Sequence, residues 1–259
     1  MQLRLVRHGL VDSTNERALA SVADGSARHG DVHVAESQSA GRGRLGRGWV
    51  SAHGEGLYLS LVLLPARAPN PAAVTMGAGL AVLEGVRALG VRHARLKWPN
   101  DVLVSNAKLA GILVESRGLD PARPHAVVGV GLNVLQRAFP PELVGERAVT
   151  SLALLGCTAT LEAAIQTLLE HLSSRLELAC SSPERIAGDY ARASDLPGRA
   201  VRIRRGSGEL TGRLESLTLA GLELVLEDGA RTRVPLEHAQ TVEALYRGAR
   251  RRSRENLEP

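Results

Sequence analysis

The segment Gly41–Trp49, GRGRLGRGW, alternates glycine with arginine and ends in tryptophan. Its glycines free the backbone, while Arg42, Arg44 and Arg47 place guanidinium groups on alternating sides. This pattern suits a mobile loop that closes over a phosphate-bearing ligand, and the alternative is a flexible, solvated turn. An exposed Trp49 beside it favours the binding loop. The G-x-G-x-x-G spacing does not predict a dinucleotide site, because no helix opens on it and no acidic residue lies about 20 positions further on.

A second polar group lies in Lys97–Asp101, KWPND, between two strand-like runs. Pro99 fixes a turn that would present an amide and a carboxylate close to a lysine. Asn100 could bond a phosphate or a ribose, and Asp101 could help to hold Mg²⁺. The alternative is an ordinary turn whose side chains cap the backbone.

Two strand-like runs carry the remaining polar residues. Lys108 opens KLAGILVE, where it points toward a cleft or the end of the sheet, and Gly111 lets a ligand or backbone approach. The alternative for Lys108 is a strand-end lysine that extends to solvent. The run Gly129–Asn133, GVGLN, places two glycines inside a strand, which weakens it unless something packs there. Asn133 could read an adenine edge or a phosphate, and a bulge at the sheet edge is the alternative.

The chain has only two lysines, Lys97 and Lys108, beside thirty arginines. Their survival within twelve residues suggests that a compact ammonium group is needed there. The sequence lacks the P-loop pattern and the G-x-S-x-G pattern of serine hydrolases. His29 and His33 have the spacing of a helical zinc pair, but the flanking strand pattern makes one improbable.

The elements that must position these residues follow an α+β order. Helices are predicted over 12–23, 71–89, 160–178 and 183–193. Strands are predicted over 2–7, 31–36, 56–64, 95–104 with a break at Pro99, 109–117 and 125–134. The composition changes at Leu196-Pro197-Gly198, and short alternating strands then suggest a small β-barrel. We therefore predict a first domain over 1–195, a second over 196–247, and a disordered basic tail over 248–259. The tail is either solvated or a weak nucleic-acid arm.

Composition limits the class of protein. Of 259 residues, 44% are hydrophobic and 23% are charged, as in ordinary globular proteins. No apolar run is long enough to span a membrane, and no secretory signal is visible, so a cytoplasmic protein without membrane partners is expected. Only Cys157 and Cys180 are present, which excludes a disulfide framework.

GRGRLGRGW, KWPND, KLAGILVE and GVGLN, in this order, resemble the pocket segments of the biotin protein ligases. Upstream, Asp12–Asn15 and Glu36–Gln38 match further pocket segments of that family. The resemblance is strong over roughly residues 1–135, and the C-terminal strands agree with the family's SH3-like β-barrel. It implies an α+β fold in which a class II synthetase-like mixed-sheet catalytic domain is followed by that barrel.

The resemblance also implies the reaction and the residues. Biotin and ATP would give biotinyl-5′-AMP and pyrophosphate, and a lysine of a biotin carboxyl carrier protein would then accept biotin. Mg²⁺ would assist, with Asp101 as its ligand, and catalysis would rest on Lys108, Arg42 and Arg44. The implied biotin-binding residues are Ser13, Thr14, Asn15, Gln38, Gly41, Arg42, Arg44, Lys108 and Gly111. The implied ATP-binding residues are Arg42, Arg44, Trp49, Asn100, Asp101, Lys108 and Asn133.

Two departures from the family pattern refine the expectation. Members that double as repressors begin with a helix-turn-helix domain, for which Asp12–Thr14 lies too near the start of this sequence. A short form without specific nucleic-acid binding, either monomer or homodimer, is therefore expected. Some members also end the barrel with a Ser-Leu-Arg segment that contacts ATP, whereas Thr241–Leu245 reads TVEAL.

Two alternatives stay open. A lipoate or octanoate ligase of related fold would carry a different glycine-rich segment and would need a long acyl tunnel. A non-catalytic nucleic-acid-binding protein would bind duplex DNA with a steep salt dependence. The six aromatic residues of the chain argue against a stacking platform for single strands.

Overall fold

The computed structural model describes residues 1–117, 123–146 and 148–245. Its larger sheet has the strand order β1-β2-β3-β7-β6-β5-β4. The first two strands run parallel, and every other neighbouring pair is antiparallel, so the sheet is mixed. The strands are β1 (Arg4–Val11), β2 (Asp31–Gln38), β3 (Gly56–Leu63), β4 (Arg95–Lys97), β5 (Asp101–Val104), β6 (Ala107–Glu115) and β7 (Ala126–Asn133).

One face of this sheet, called the core face below, is covered by three helices. They are α2 (Pro71–Ala88), α4 (Leu161–Ser181) and α5 (Pro183–Ser194). Asn70 and Thr160 cap α2 and α4 by accepting hydrogen bonds from backbone amides three residues on. The side chains between helices and sheet form one large hydrophobic cluster, which includes Ile112, Val128, Val130 and Leu132. Burial of this apolar surface is the main force that holds the sheet to the helices.

The opposite face is called the α1 face, because helix α1 (Thr14–Ala23) packs on it. Ala18 and Leu19 pack against Val62 and Val127, which point to this side of the sheet. The helix packs against β2, β3 and β7. Over β6 and the adjoining part of β7, the α1 face is covered instead by the irregular chain that follows β2.

The second sheet is antiparallel, with the strand order β11-β10-β9-β8-β12. Its members are β8 (Ala200–Arg205), β9 (Gly208–Thr218), β10 (Gly221–Val225), β11 (Arg231–Val234) and β12 (Thr241–Ala244). It joins the larger sheet through a hydrogen bond of 2.7 Å from Trp98 Nε1 to the Ala239 carbonyl and through the Lys97–Glu243 ion pair.

The predicted α+β class and the mixed large sheet are confirmed. The C-terminal strands are present, but their sheet is open within the described residues, because edge strands β11 and β12 do not pair with each other. The division at residue 196 stays a prediction, and the basic tail lies outside the described residues. Helix α3 (Pro141–Glu146) was not predicted. No described helix is long and apolar enough to cross a membrane.

Candidate active site

The predicted polar segments meet on the α1 face, around a cleft of about 460 Å³. Ten of the predicted site residues line it: Ser13, Thr14, Asn15, Gln38, Arg42, Arg44, Trp49, Asn100, Lys108 and Gly111. We call it the first cleft.

Polar side chains at one end of the first cleft form a connected network. The backbone amide and the Oγ1 of Thr14 both donate to Gln38 Oε1, at 2.8 and 3.2 Å. The Gln38 amide nitrogen donates in turn to Ser51 Oγ at 2.8 Å. Ser13 lies beside them at the start of α1, buried, and its side chain does not cap that helix. This end can therefore both donate to and accept from a planar polar ligand group.

Asn15 sits deeper, and a strand glycine makes room for it. Its Nδ2 donates to Glu115 Oε2 at 2.7 Å, and its Oδ1 accepts from Ser60 Oγ at 2.5 Å. A Cβ atom on Gly129 would lie only 2.3 Å from Asn15 Oδ1. One of the two glycines in the GVGLN strand is thus explained by the side chain that packs on it.

Arg42 is held by two carboxylates from different elements. Its guanidinium contacts Glu16 on α1 and, at 2.5 Å, Glu115 at the end of β6. Arg117 binds Glu16 as well, with two hydrogen bonds of 2.9 and 2.7 Å. The bond from Arg117 and the charge of Arg42 lower the pKa of Glu16 against the opposing effect of burial. The remaining Nε of Arg42 is buried without a hydrogen-bond partner in the described part of the chain.

Arg44 reaches the other side of the first cleft. Its Nη1 approaches Asn100 Oδ1 at 3.4 Å, a weak hydrogen bond. Asn100 is fixed by its own Nδ2, which donates to the Ile112 carbonyl at 2.7 Å. The glycine- and arginine-rich chain over 37–50, for which the composition predicts no regular element, contains one short 3-10 turn over Arg44–Gly46.

Lys108 is largely buried and lies in the walls of the cleft. Its Nζ is 2.6 Å from Asp101 Oδ1, and the two side chains are only 11% and 18% exposed. The ammonium group also lies 5.3 Å from the centroid of the Trp49 ring, a cation–π distance. Lys108 is the second residue of β6, and its backbone is tied to Ala148 and Thr150. It does not extend freely to solvent.

Asp101 alone does not complete a site for Mg²⁺. Mg²⁺ prefers several oxygen ligands in octahedral geometry. Asp101 is ion-paired with Lys108, and no cluster of three or more metal-ligating side chains occurs among the described residues. Asp101 as a ligand of Mg²⁺ therefore stays a prediction, in which the phosphate oxygens of a bound ligand would supply most of the coordination.

Trp49 is half-buried, which corrects the expectation that it is exposed. Its indole lies against the α1 face, where a Cβ atom on Gly131 would stand 2.4 Å from Cε2. Its backbone amide donates to the Gly41 carbonyl at 2.8 Å, so Gly41 and Trp49 close the segment between them into a loop. Gly41 has no space for a side chain, because a Cβ there would be 2.5 Å from the Trp49 carbonyl oxygen.

A second cleft of about 500 Å³ lies on the other side of Trp49. Trp49 and Lys108 line both clefts. Asn133 lines only the second, and its Nδ2 donates to the Thr150 carbonyl at 2.9 Å. The apolar part of the wall comes from helix α3 and the chain on either side of it, with Ala138, Phe139, Pro140, Leu143 and Val149.

Sequence reasoning missed several residues of this region. The carboxylates Glu16 and Glu115, together with Arg117, were not predicted, although Glu115 closes the KLAGILVE segment. Ser60 gave no signal, because a lone serine in an apolar strand is common. One residue of the apolar wall of the second cleft could have been noticed in the sequence, since Phe139 is the only phenylalanine of the chain.

Known proteins resemble the chain over this whole region. Residues 9–133 match the model of the biotin/lipoate A/B protein ligase family. The biotin–[acetyl-CoA-carboxylase] ligase of Mycobacterium tuberculosis is 39% identical over 227 residues, which cover 85% of this chain and 82% of that protein. The chain belongs to the biotin protein ligases.

Other members agree with this assignment. The bifunctional ligase/repressor BirA of Salmonella typhimurium is 34% identical over 224 residues, covering 85% of this chain and 68% of that protein. The biotin protein ligase from Aquifex aeolicus, solved in complex with biotin and ATP, superposes with a TM-score of 0.77 at 29% identity. That match covers 93% of this chain and 99% of the Aquifex chain.

Proposed function

We propose that this biotin protein ligase joins biotin to ATP as biotinyl-5′-AMP and then transfers biotin to a lysine of a biotin carboxyl carrier domain. The observation that carries the proposal is the meeting of two clefts at Trp49 and Lys108, with Arg42 and Arg44 beside them. A reaction between a carboxylate and a phosphate needs such a place, because two anions must be brought together.

Biotin would occupy the first cleft. Its cyclic urea is planar and carries two donors and one acceptor, and the network of Thr14, Gln38 and Ser51 offers both kinds of group. Ser13 and Asn15 lie at the same end and would complete the set. The valeryl chain would then run over Gly111 toward Lys108, which places the carboxylate at the junction of the clefts.

ATP would occupy the second cleft, with its α-phosphate at the junction. Phe139, Leu143 and Val149 offer apolar surface for a purine. Asn133 is buried with its nitrogen bound to a backbone carbonyl, so its contribution to ATP binding would be mainly to hold the wall in place. Asn100 lines the first cleft and not the second, and lies next to Arg44.

In the first step a biotin carboxylate oxygen attacks the α-phosphorus of ATP. The bond from that phosphorus to the bridging oxygen breaks, and pyrophosphate leaves with the electron pair. Lys108 would offer its ammonium to the acyl and phosphoryl oxygens, and Arg42 and Arg44 would neutralise charge around them. ATP is expected to bring its own Mg²⁺, held chiefly by phosphate oxygens.

In the second step the amine of the carrier lysine attacks the acyl carbon. AMP leaves, the nitrogen loses a proton, and an amide is formed. The mixed anhydride hydrolyses if water reaches it, so a loop that covers the junction protects it. Residues 41–48, called the glycine–arginine loop below, would have this role, since they carry both arginines over the first cleft.

The acceptor protein and the location form part of the same proposal. A carboxylase carrier protein as acceptor is consistent with the name of the Mycobacterium relative. A cytoplasmic location is consistent with two free thiols at Cys157 and Cys180. The absence of specific nucleic-acid binding, and a monomeric or homodimeric state, stay predictions.

A ligand-dependent melting screen tests the proposal. Biotin should raise the melting temperature, and biotin with ATP should raise it further than either ligand alone, because the adenylate fills both clefts. Lipoate and octanoate at the same concentrations are the controls. A larger shift with lipoate and ATP than with biotin and ATP would support the lipoate-ligase alternative and would contradict the proposal.

A further inference from the structure

Two glycines face each other across neighbouring strands under the ring of Trp49. Gly111 of β6 and Gly131 of β7 are direct partners in the antiparallel ladder. A Cβ on Gly131 would lie 2.4, 2.6 and 2.7 Å from three atoms of the indole. A Cβ on Gly111 would lie 3.0 Å from Trp49 Cζ3 and 3.0 Å from Lys108 Nζ.

The backbone does not explain these glycines. Neither Gly111 nor Gly131 has a positive φ, whereas ten other glycines of the described chain do. Glycine inside a strand is unfavourable, because it adds no packing and loses more conformational freedom on folding than alanine. At Gly131 the space for a side chain is taken by the indole, and at Gly111 it is taken by the indole and the Lys108 side chain together.

The indole also fixes the loop that carries the cations. Trp49 follows the glycine–arginine loop directly, and its amide is bonded to the Gly41 carbonyl. Within the loop, Gly43 donates to the Arg47 carbonyl at 2.7 Å, so the loop is a small closed unit. A shift of the Trp49 backbone would therefore be passed on to the loop that carries Arg42 and Arg44, while Arg42 is also held by Glu16 and Glu115.

We propose that the Gly111–Gly131 pair is a positioning element, a floor without side chains that seats Trp49 between the two clefts and so sets the closed position of the glycine–arginine loop. The functional part of this inference rests on the proposed ligase activity. The seat itself does not, since it concerns contacts of the ligand-free chain. Gly131 touches the indole most closely and carries most of the effect.

The size of the effect follows from the distances. Ordinary van der Waals contact begins at 3.4 Å, so a methyl group on Gly131 has to push the indole away by about 1 Å. A misplacement of this size can lower a rate by about 10²-fold when it separates catalytic groups. We expect Gly131→Ala to slow adenylate formation by roughly 10- to 10²-fold without lowering the melting temperature.

A double-mutant cycle separates this seat from a general effect on the strand. Gly131→Ala is made in the parent and in a Trp49→Leu variant, where the indole is gone. Gly9→Ala is the matched control, since Gly9 also lies in a strand and a Cβ there meets nothing within 4 Å. We expect Gly131→Ala to change the rate less than about threefold in the Trp49→Leu background, because the new methyl group then meets no indole ring.

Trp49 fluorescence reports the seat without any ligand. The chain has only two tryptophans, so the Trp98 signal is obtained from Trp49→Phe variants and subtracted. Gly131→Ala should shift the Trp49 emission to longer wavelength and increase its quenching by acrylamide, and Gly9→Ala should do neither. If Gly131→Ala fails to fold, Gly111→Ala is used in the same cycle, with a smaller expected shift.

Three results distinguish a failure of this proposal from a failure of the proposed function. Equal losses of rate in the parent and in the Trp49→Leu background would overturn the proposal, as would an unchanged Trp49 emission. Absence of biotin-dependent adenylate in the parent protein would instead refute the proposed function, and the fluorescence comparison would still decide whether the glycines seat the indole.

Discussion

The two faces of strands β6 and β7 differ in the size of the side chains that they carry. On the core face, Ile112, Val130 and Leu132 are almost fully buried beneath the helices. On the α1 face, the same strands present Gly111, Gly129 and Gly131, and what covers them is polar or aromatic. Gly131 and Leu132 are adjacent in sequence, but Gly131 makes room for a side chain of the site, whereas Leu132 packs in the hydrophobic core.

The comparison shows how one pair of strands serves stability and chemistry together. The core face needs apolar volume, which several side chains can supply. The α1 face needs space at defined points, since Asn15 fills the gap at Gly129 and Trp49 the gap at Gly131. We expect substitutions on the core face to change stability, and substitutions on the α1 face to change activity.

Substitution of Lys108 should give the largest effect on the α1 face. Lys108→Arg and Lys108→Gln should slow adenylate formation by about 10²–10³-fold, because a compact ammonium can touch both the carboxylate and the phosphate, whereas the wider fork displaces one. The assay is biotin-dependent pyrophosphate release in a single turnover. Lys97→Arg is the matched control, since Lys97 pairs with Glu243 outside both clefts. A Lys108→Arg rate within about threefold of the parent would refute the argument.

Leu132→Ala should give the corresponding effect on the core face. Removal of a fully buried leucine typically lowers the free energy of unfolding by about 2–5 kcal/mol. Chemical denaturation measures this loss, and the KM for biotin of the folded fraction should stay close to that of the parent. A raised KM with an unchanged free energy of unfolding would mean that the two faces are not separate.

Acidification should weaken the sheet at the β1–β2 end. Burial, with a smaller contribution from His8, lowers the pKa of His33 to about 4, and the two rings stack at 5.3 Å. The unfolded chain binds a proton at this side chain below its ordinary pKa of 6.5, and the folded chain does so only near pH 4.

The free energy of unfolding should therefore fall as pH falls from 6.5 to 4, by at most about 3 kcal/mol from this group. Denaturation curves over this range, compared with those of His33→Gln, isolate the contribution. Identical pH slopes for the parent and the variant would contradict it.

The glycine–arginine loop should show the smallest change. We expect its amides to exchange hydrogen about tenfold more slowly with biotin plus ATP than without them. This ratio corresponds to an increase of roughly 1.4 kcal/mol in the free energy of local opening. Helix α2, on the core face, is the internal reference and should not respond. Equal exchange of the loop with and without ligands would exclude ordering by the adenylate.

The sequence predicted the core face better than the α1 face. Helix α2 was predicted over 71–89 and lies at Pro71–Ala88, because a buried helix shows its period and its ends. Strand β1 is longer than predicted, since its exposed residues give no clear alternation. The six residues of α3 are too few to show a helical period.

For the site, motifs predicted which residues gather but not how they are held. The network of Arg42, Glu16 and Glu115 joins three segments that are distant in sequence, and nothing in their spacing specifies it. The Gly/Arg pattern indicated a loop, and the GVGLN glycines indicated close packing. The sequence does not show that Trp49 is the side chain that packs on these glycines, because this contact depends on the fold of the sheet.

The most direct test of the central claim is the chemical identity of the enzyme-bound product. The protein is incubated with biotin and ATP without a carrier, quenched in acid, and the released small molecules are identified by mass spectrometry. We predict biotinyl-5′-AMP in an amount close to that of the protein, a strong reduction in Lys108→Gln, and no adenylate when lipoate replaces biotin. A failure to form biotinyl-5′-AMP in the parent protein, or equal formation of the lipoyl adenylate, would contradict the account.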